Sequence, residues 1–234
     1  MKDDLTYNEV DLCKQEILEF VEYLKKFDEK KIELKEYDID FIRFISKQII
    51  FVKYLLLGDC SVFYFKVLVS DLYYLILSII KLEHRYMYLN ERSIIENYTR
   101  LISKISVVND HVTENSFIVL KNKSDGFKLN EADYSLLKSE YVTSCGFVHG
   151  SDIIENNLSF VFQECITNTF KFEDRAKYYD RIKRVVKYLD TLLIMEYPEF
   201  VSGCFHRKKA LLAYLLGENQ VNKLFDALND KKNT

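Results

Sequence analysis

An all-α fold is what this sequence predicts, and two of its features carry that prediction. Its 234 residues hold one proline and six glycines, too few turn-formers for a sandwich or barrel of short strands but natural for long helices joined by short polar loops. Apolar residues also recur at three- and four-residue intervals along most of the chain, the period of a helix with one face turned to a core. With 48% hydrophobic residues the core can be large, and disorder is not expected. The expectation is an antiparallel helical bundle with a central buried helix. It forms a single domain over 1–234, of which about 1–58 is a helical N-terminal extension.

The first helix is predicted from Asn8 to about Phe27, where Val10, Ile17, Val21 and Leu24 share a face. A second runs from Tyr37 to Leu57 with Phe41, Ile45, Ile49 and Val52 inward; Gly58 ends it and Asp59 can cap the next helix. Cys60 to Leu82 is the most apolar stretch, and Phe65, Leu68, Leu72, Leu75 and Ile79 mark it as the central helix. Lys66 and Asp71 interrupt it before the ~18 uninterrupted apolar residues of a membrane span, so no membrane is expected. A turn near Tyr88 to Asn90 precedes a helix from about Glu91 to Ile105. From Val107 to Asn130 the Asn, Asp, Ser and Gly residues break the period, which predicts loops around a short apolar piece at Phe117 to Leu120 and a candidate partner-contacting insert from Asn109 to Asn130. Ala132 to Val148 reads as helix, with a break near Ser139 allowed and Gly146 and Gly150 loosening its end. A polar connector leads to an apolar segment at Leu158 to Val161, helix or short strand. Phe172 to Glu196 is a long helix stopped by Pro198, and Phe200 to Leu228 gives one or two short helices split by Gly217.

Charge and cysteine usage narrow the function classes. A net charge of -3 gives no bulk attraction to nucleic acid, so binding to it would need a local patch. Five scattered cysteines with no Cys-x-x-Cys pair predict free thiols in a reducing, cytoplasmic setting rather than a disulfide framework. The isolated histidines His84, His111, His149 and His206 offer no metal-ligand spacing, and neither a Walker loop nor a dinucleotide glycine fingerprint is present. No metal and no cofactor are expected.

The segment from Tyr141 to Asp152 concentrates reactive groups: Tyr141, Thr143, Ser144, Cys145, His149 and Ser151 with Gly146 and Gly150. Cys145 and Ser144 lie close to His149 in sequence, but Gly-x-Ser-x-Gly is absent and no third group orients a base. Upstream, Arg92 and Glu96 stand one helical turn apart. An arginine facing a histidine suits phosphodiester chemistry, the guanidinium holding a phosphate in a fork while the imidazole takes or gives a proton. The competing reading makes Arg92 and Glu96 an ordinary ion pair and His149 a hydrogen-bonded helix-end residue.

The Arg92-Ser-Ile-Ile-Glu96 helix, a variable insert, and a later helix ending Tyr141-x-x-Ser144-x-x-x-x-His149-Gly-Ser together resemble the HEPN-like superfamily of bacterial all-helical proteins, over roughly Asp59 to Glu196. The resemblance implies a bundle that commonly dimerises and acts in phage defence, toxin-antitoxin pairs or RNA cleavage. In the ribonuclease members an arginine five positions before the histidine helps it drive metal-independent attack of a ribose 2′-hydroxyl on the adjacent phosphate. That position here is Ser144, so of the usual pair only His149 carries over. The candidate catalytic set is therefore His149, Arg92, Glu96, Tyr141 and Ser144, with Arg92 standing in for the missing guanidinium.

Lys177, Arg181 and Arg184, with Lys183 and Lys187 adjacent, form a candidate stripe for RNA phosphates on the long late helix. Its alternative is a solvated face balanced by Glu173, Asp174, Asp180 and Asp190. Two functions remain open. One is a metal-independent endoribonuclease or RNA-binding protein; the other is a non-catalytic scaffold that binds a protein partner, and either is expected to be a homodimer.

Overall fold

The computed structural model describes residues 3–59, 63–105, 111–149 and 175–232. Among them are ten α-helices and no strand: α1 (Asp3–Lys26), α2 (Glu36–Gly58), α3 (Phe63–Ile80), α4 (His84–Ser103), α5 (Glu114–Gly126), α6 (Glu131–His149), α7 (Arg175–Glu196), α8 (Pro198–Cys204), α9 (Lys209–Leu216) and α10 (Glu218–Lys232). The all-α bundle is therefore found. The apolar segment at Leu158 to Val161 and its connector lie outside the described residues, as do Glu173 and Asp174.

Helices α2, α3 and α4 run up, down and up. The Lys53 ammonium donates to the Tyr73 hydroxyl between α2 and α3, and the Arg100 guanidinium near the end of α4 faces the Tyr64 ring near the start of α3. Helix α3 packs between α2 and α4 and buries Leu68, Leu72 and Leu75 completely. It is long and apolar enough to cross a membrane, but half of it is buried inside the bundle. Its mid-helix Asp71 is held by Ser93 and Asn97 of α4, as expected of a core helix. Its other face leaves Phe63, Tyr73 and Tyr74 exposed.

Helix α7 lies alongside both α2 and α4, and its Tyr178, Tyr179, Asp190 and Thr191 make buried side-chain hydrogen bonds. Tyr179 stacks on Phe41 of α2 at 4.1 Å and donates 2.8 Å to the buried Asp38, whose other carboxylate oxygen accepts the Lys35 N–H and so closes the start of α2. The first 58 residues thus contribute α2 to the same core as the rest. Helix α6 closes over α4 and α7, and α8, α9 and α10 cover the far end of α2 and α7.

Two expectations are corrected, at the start of α4 and across 107–130, while α7 ends at Glu196 before Pro198 as expected. Tyr88 to Asn90 is not a turn: the chain reverses at Lys81 to Glu83, with Leu82 at a φ of 56°, and α4 begins at His84. The region from Val107 to Asn130 contains α5 rather than only loops. Its polar residues weaken the period, but the Ser116 hydroxyl accepts the Thr113 N–H to cap the start. Phe117, against Tyr141 of α6, and Leu120 are then buried where α5 packs on α4 and α6, which outweighs weak intrinsic propensity. Helix α6 is unbroken at Ser139. Pro198 ends α7 by opening a new helix, occupying its first turn where a missing N–H costs nothing.

Candidate functional site

The seam between α4 and α6 brings together three of the five residues in the candidate catalytic set. On α4, Glu96 is reached from both sides of its own helix: the Arg92 Nε donates 2.7 Å to one oxygen and the Arg100 guanidinium 2.9 Å to the other. From α6, the Tyr141 hydroxyl donates 3.1 Å to the oxygen that Arg92 also reaches, and the Arg92 guanidinium lies 6.0 Å from the centre of the Tyr141 ring. The spacing of four residues puts these arginines one turn either side of Glu96, so local helix geometry alone builds the ladder.

The ladder continues into the core. Arg100 also donates 3.0 Å to the Asn97 side-chain oxygen, and Asn97 and Ser93 both donate to Asp71 of α3, at 3.0 and 2.7 Å. Burial pushes the Asp71 carboxyl up, and those two hydrogen bonds work against it. Burial likewise opposes charge on Arg92, but its bond to Glu96 outweighs this and its proton is held more tightly than usual. Burial and the Glu96 charge push the Tyr141 phenol upward, so Tyr141 acts as a hydrogen-bond donor and not as a base. The seam therefore holds the Arg92 guanidinium half-buried against the Glu96 carboxylate.

Ser144 stands apart. Its side chain is fully buried and donates 2.8 Å to the Tyr141 carbonyl of its own helix, so it faces the core and not the arginine ladder. His149 is the last residue of α6, and its side chain lies outside the described residues. The preceding residue fixes where that helix end lies: the Arg85 guanidinium donates 3.2 Å to the Val148 carbonyl. Because α4 and α6 are antiparallel, His149 is level with the start of α4, while Arg92 lies about two turns, roughly 10 Å, further along. Arg85, not Arg92, is the arginine at the histidine end of the seam. Sequence reasoning missed it, although a spacing of seven residues from Arg92 places it on the same face of α4.

The candidate stripe on α7 divides. Arg181 Nε donates 2.8 Å to the buried Glu140, and Arg184 Nε 2.6 Å to Asp133, so both arginines bridge to α6. Their partners are these α6 acids and not the α7 acids expected to balance the face; Asp190 is itself buried. Lys177 is exposed. Beneath this bridge Glu91 is buried on α4, accepting 3.0 Å from the Tyr178 hydroxyl, and burial together with the Glu140 charge raises its carboxyl well above the ordinary range. Among the described residues no group of three His, Cys, Asp or Glu side chains is arranged to hold a metal ion. No known protein family matches the sequence, and no curated protein or solved structure matches it either.

Proposed function

We propose that this chain is a HEPN-like bacterial protein of defence or stress response that handles RNA along the α4–α6 seam, in the cytoplasm and as a homodimer. The observation that supports the reading is the convergence of Arg92, Glu96 and Tyr141 from two helices, with the Arg92 guanidinium held half-buried at the seam. Arg85 supplies a second guanidinium at the end of the seam where α6 finishes at His149. In the catalytic form of this reading His149 is the general base for 2′-hydroxyl attack, with no metal required. The test is RNA binding and cleavage in EDTA. Wild type is expected to cleave single-stranded RNA to 2′,3′-cyclic phosphate ends, with His149→Ala inactive and Arg85→Ala and Arg92→Ala weakened in binding. RNA binding that is absent at low salt, or unchanged in both arginine variants, would remove the reading.

A second reading is favoured by Ser144. The position that carries an arginine in HEPN ribonucleases is here a buried serine bonded to its own helix, which supplies no guanidinium to the seam. On that ground the chain is a non-catalytic scaffold or regulator that binds a protein partner within a defence or toxin-antitoxin complex. Retained RNA binding without cleavage by wild type, and no difference between wild type and His149→Ala, is its expected signature.

A further inference from the structure

A second cationic feature lies where α1, α2, α7 and α9 meet. It is an open cleft of about 870 Å³, within the size range of small-molecule sites. Lys14, Arg43, Lys47, Lys183 and Lys187 line it, against the single acid Asp40. Two of these cations are already compensated: Lys14 pairs with Asp11 at 3.0 Å, and Arg43 with Glu36 and Asp40 at 3.2 and 3.1 Å. Lys47, Lys183 and Lys187 make no ion pair with any described residue. They come from two helices separated in sequence, so the fold and not a local charge run assembles them.

Lys47 is the most informative of the three. It is half-buried at the cleft wall, its ammonium 3.9 Å from the centre of the Tyr214 ring, and burial makes it easier to deprotonate than an ordinary lysine. A partly desolvated cation whose neighbours are an aromatic face and the Cys13 thiol is poorly compensated. Lys187 similarly sits 5.9 Å over Phe44. Both aromatic faces in the cleft are thus approached by ammonium groups, which disfavours them as stacking platforms for bases. Three ammoniums without an ion-pair partner among the described residues, in a cleft of this volume, match a compact ligand carrying several negative charges. A long nucleic-acid strand would instead need stacking faces and a continuous basic track.

We propose that the cleft between α2, α7 and α9 is a binding site for a polyphosphate group, as in a nucleoside triphosphate or an inorganic polyphosphate, with Lys47, Lys183 and Lys187 as its ligands. The cleft is independent of the RNA reading of the α4–α6 seam, and its test uses different variants. The full chain is titrated by calorimetry at low ionic strength with tripolyphosphate, with ATP, with adenosine, and with a 12-nucleotide RNA. Tripolyphosphate is expected to bind, adenosine not to bind, and ATP to bind at least as well as tripolyphosphate if a nucleoside is the physiological carrier. Lys47→Met, which keeps the apolar stem, and the double variant Lys183→Ala/Lys187→Ala should each weaken tripolyphosphate binding about tenfold or more, since each removes charge-assisted contacts. Lys25→Ala/Lys26→Ala, on the exposed end of α1, should leave it unchanged. No tripolyphosphate binding, equal binding by wild type and the cleft variants in folded form, or binding of the RNA alone would each overturn the assignment. Arg85→Ala and Arg92→Ala are expected to leave tripolyphosphate binding intact, so failure at one site is separable from failure at the other.

Discussion

The Tyr98 hydroxyl donates 2.7 Å to the Asp190 carboxylate across the α4–α7 interface, and both side chains are buried. Burial pushes the Asp190 carboxyl up from 3.8 to about 7, against the opposing effects of the Tyr98 hydrogen bond, the neighbouring Gln48 amide and the Lys187 charge. A carboxyl whose proton is held more tightly when folded favours the folded state below the unfolded pKa. That advantage is lost as pH rises through about 4 to 7 and does not change further above it. Asp190→Asn keeps an acceptor for Tyr98 but cannot ionise. Urea denaturation of the two proteins at pH 5 and pH 8 should therefore show the variant gaining about 2 to 4 kcal/mol relative to wild type over that interval. A constant difference would mean that Asp190 does not titrate there. Tyr98→Phe should cost about 1 to 3 kcal/mol by leaving a buried acceptor without its donor.

Arg181 tests the α6–α7 bridge. It neutralises Glu140, whose second carboxylate oxygen is buried without a hydrogen bond, above a Glu91 that is also buried. Arg181→Met strands that carboxylate and should destabilise by about 2 kcal/mol, a figure set below the cost of a fully buried pair because the arginine itself is partly exposed. Glu140→Gln in the Arg181→Met background removes the stranded charge and should recover part of the loss, as read by chemical denaturation at pH 7. If the double variant is no more stable than Arg181→Met, the ion pair is not what Arg181 contributes.

The arginine ladder makes a prediction of coupling. Glu96→Gln weakens the Arg92, Arg100 and Tyr141 interactions at once, and should cost about 1 to 2 kcal/mol. Tyr141→Phe removes one hydrogen bond and should cost about 1 kcal/mol. Because both changes strike the same carboxylate oxygen, the double variant should cost less than the sum by about 0.5 kcal/mol or more. Additive losses in thermal or urea denaturation would mean that Tyr141 and Glu96 act independently.

Most of the helices were legible because the apolar period that predicts them is also what fills the core. Ile45, Leu68, Leu72 and Leu75, all picked out by spacing, are buried. Helix α5 was not legible, because its stability comes from burying Phe117 and Leu120 against α4 and α6 and from the Thr113–Ser116 cap, neither of which has a strong periodic signature. The start of α4 was misplaced for a similar reason: Asn90 looks like a turn residue, yet its side chain donates 2.7 Å back to the Tyr86 carbonyl within the helix. For the candidate site, spacing within one helix predicted Arg92 with Glu96, whereas pairing across helices decided the rest. Which face of α6 Ser144 would take, and that Arg181 and Arg184 would turn to α6 while Lys183 and Lys187 line a separate cleft, depends on the relative rotation of α6 and α7. No one-dimensional pattern contains that rotation.

Gly58 closes α2 at a point of contact with α8. A Cβ placed there would lie 2.3 Å from the Cys204 Sγ and 3.3 Å from the Phe200 ring. Two effects oppose each other in Gly58→Ala. The gain in helix propensity is at most about 1 kcal/mol at a helix end. The collision requires Cys204 to leave its place and Phe200 to shift, and overpacking of this kind costs about 1 to 3 kcal/mol. The clash should win, with a net loss of about 1 kcal/mol or more in urea denaturation. Cys204→Ala removes the sulfur, so the Gly58→Ala/Cys204→Ala double variant should be more stable than Cys204→Ala alone or equal to it, reversing the sign of the glycine substitution. If Gly58→Ala destabilises equally in both backgrounds, the contact with Cys204 is not the reason glycine is needed at this helix end.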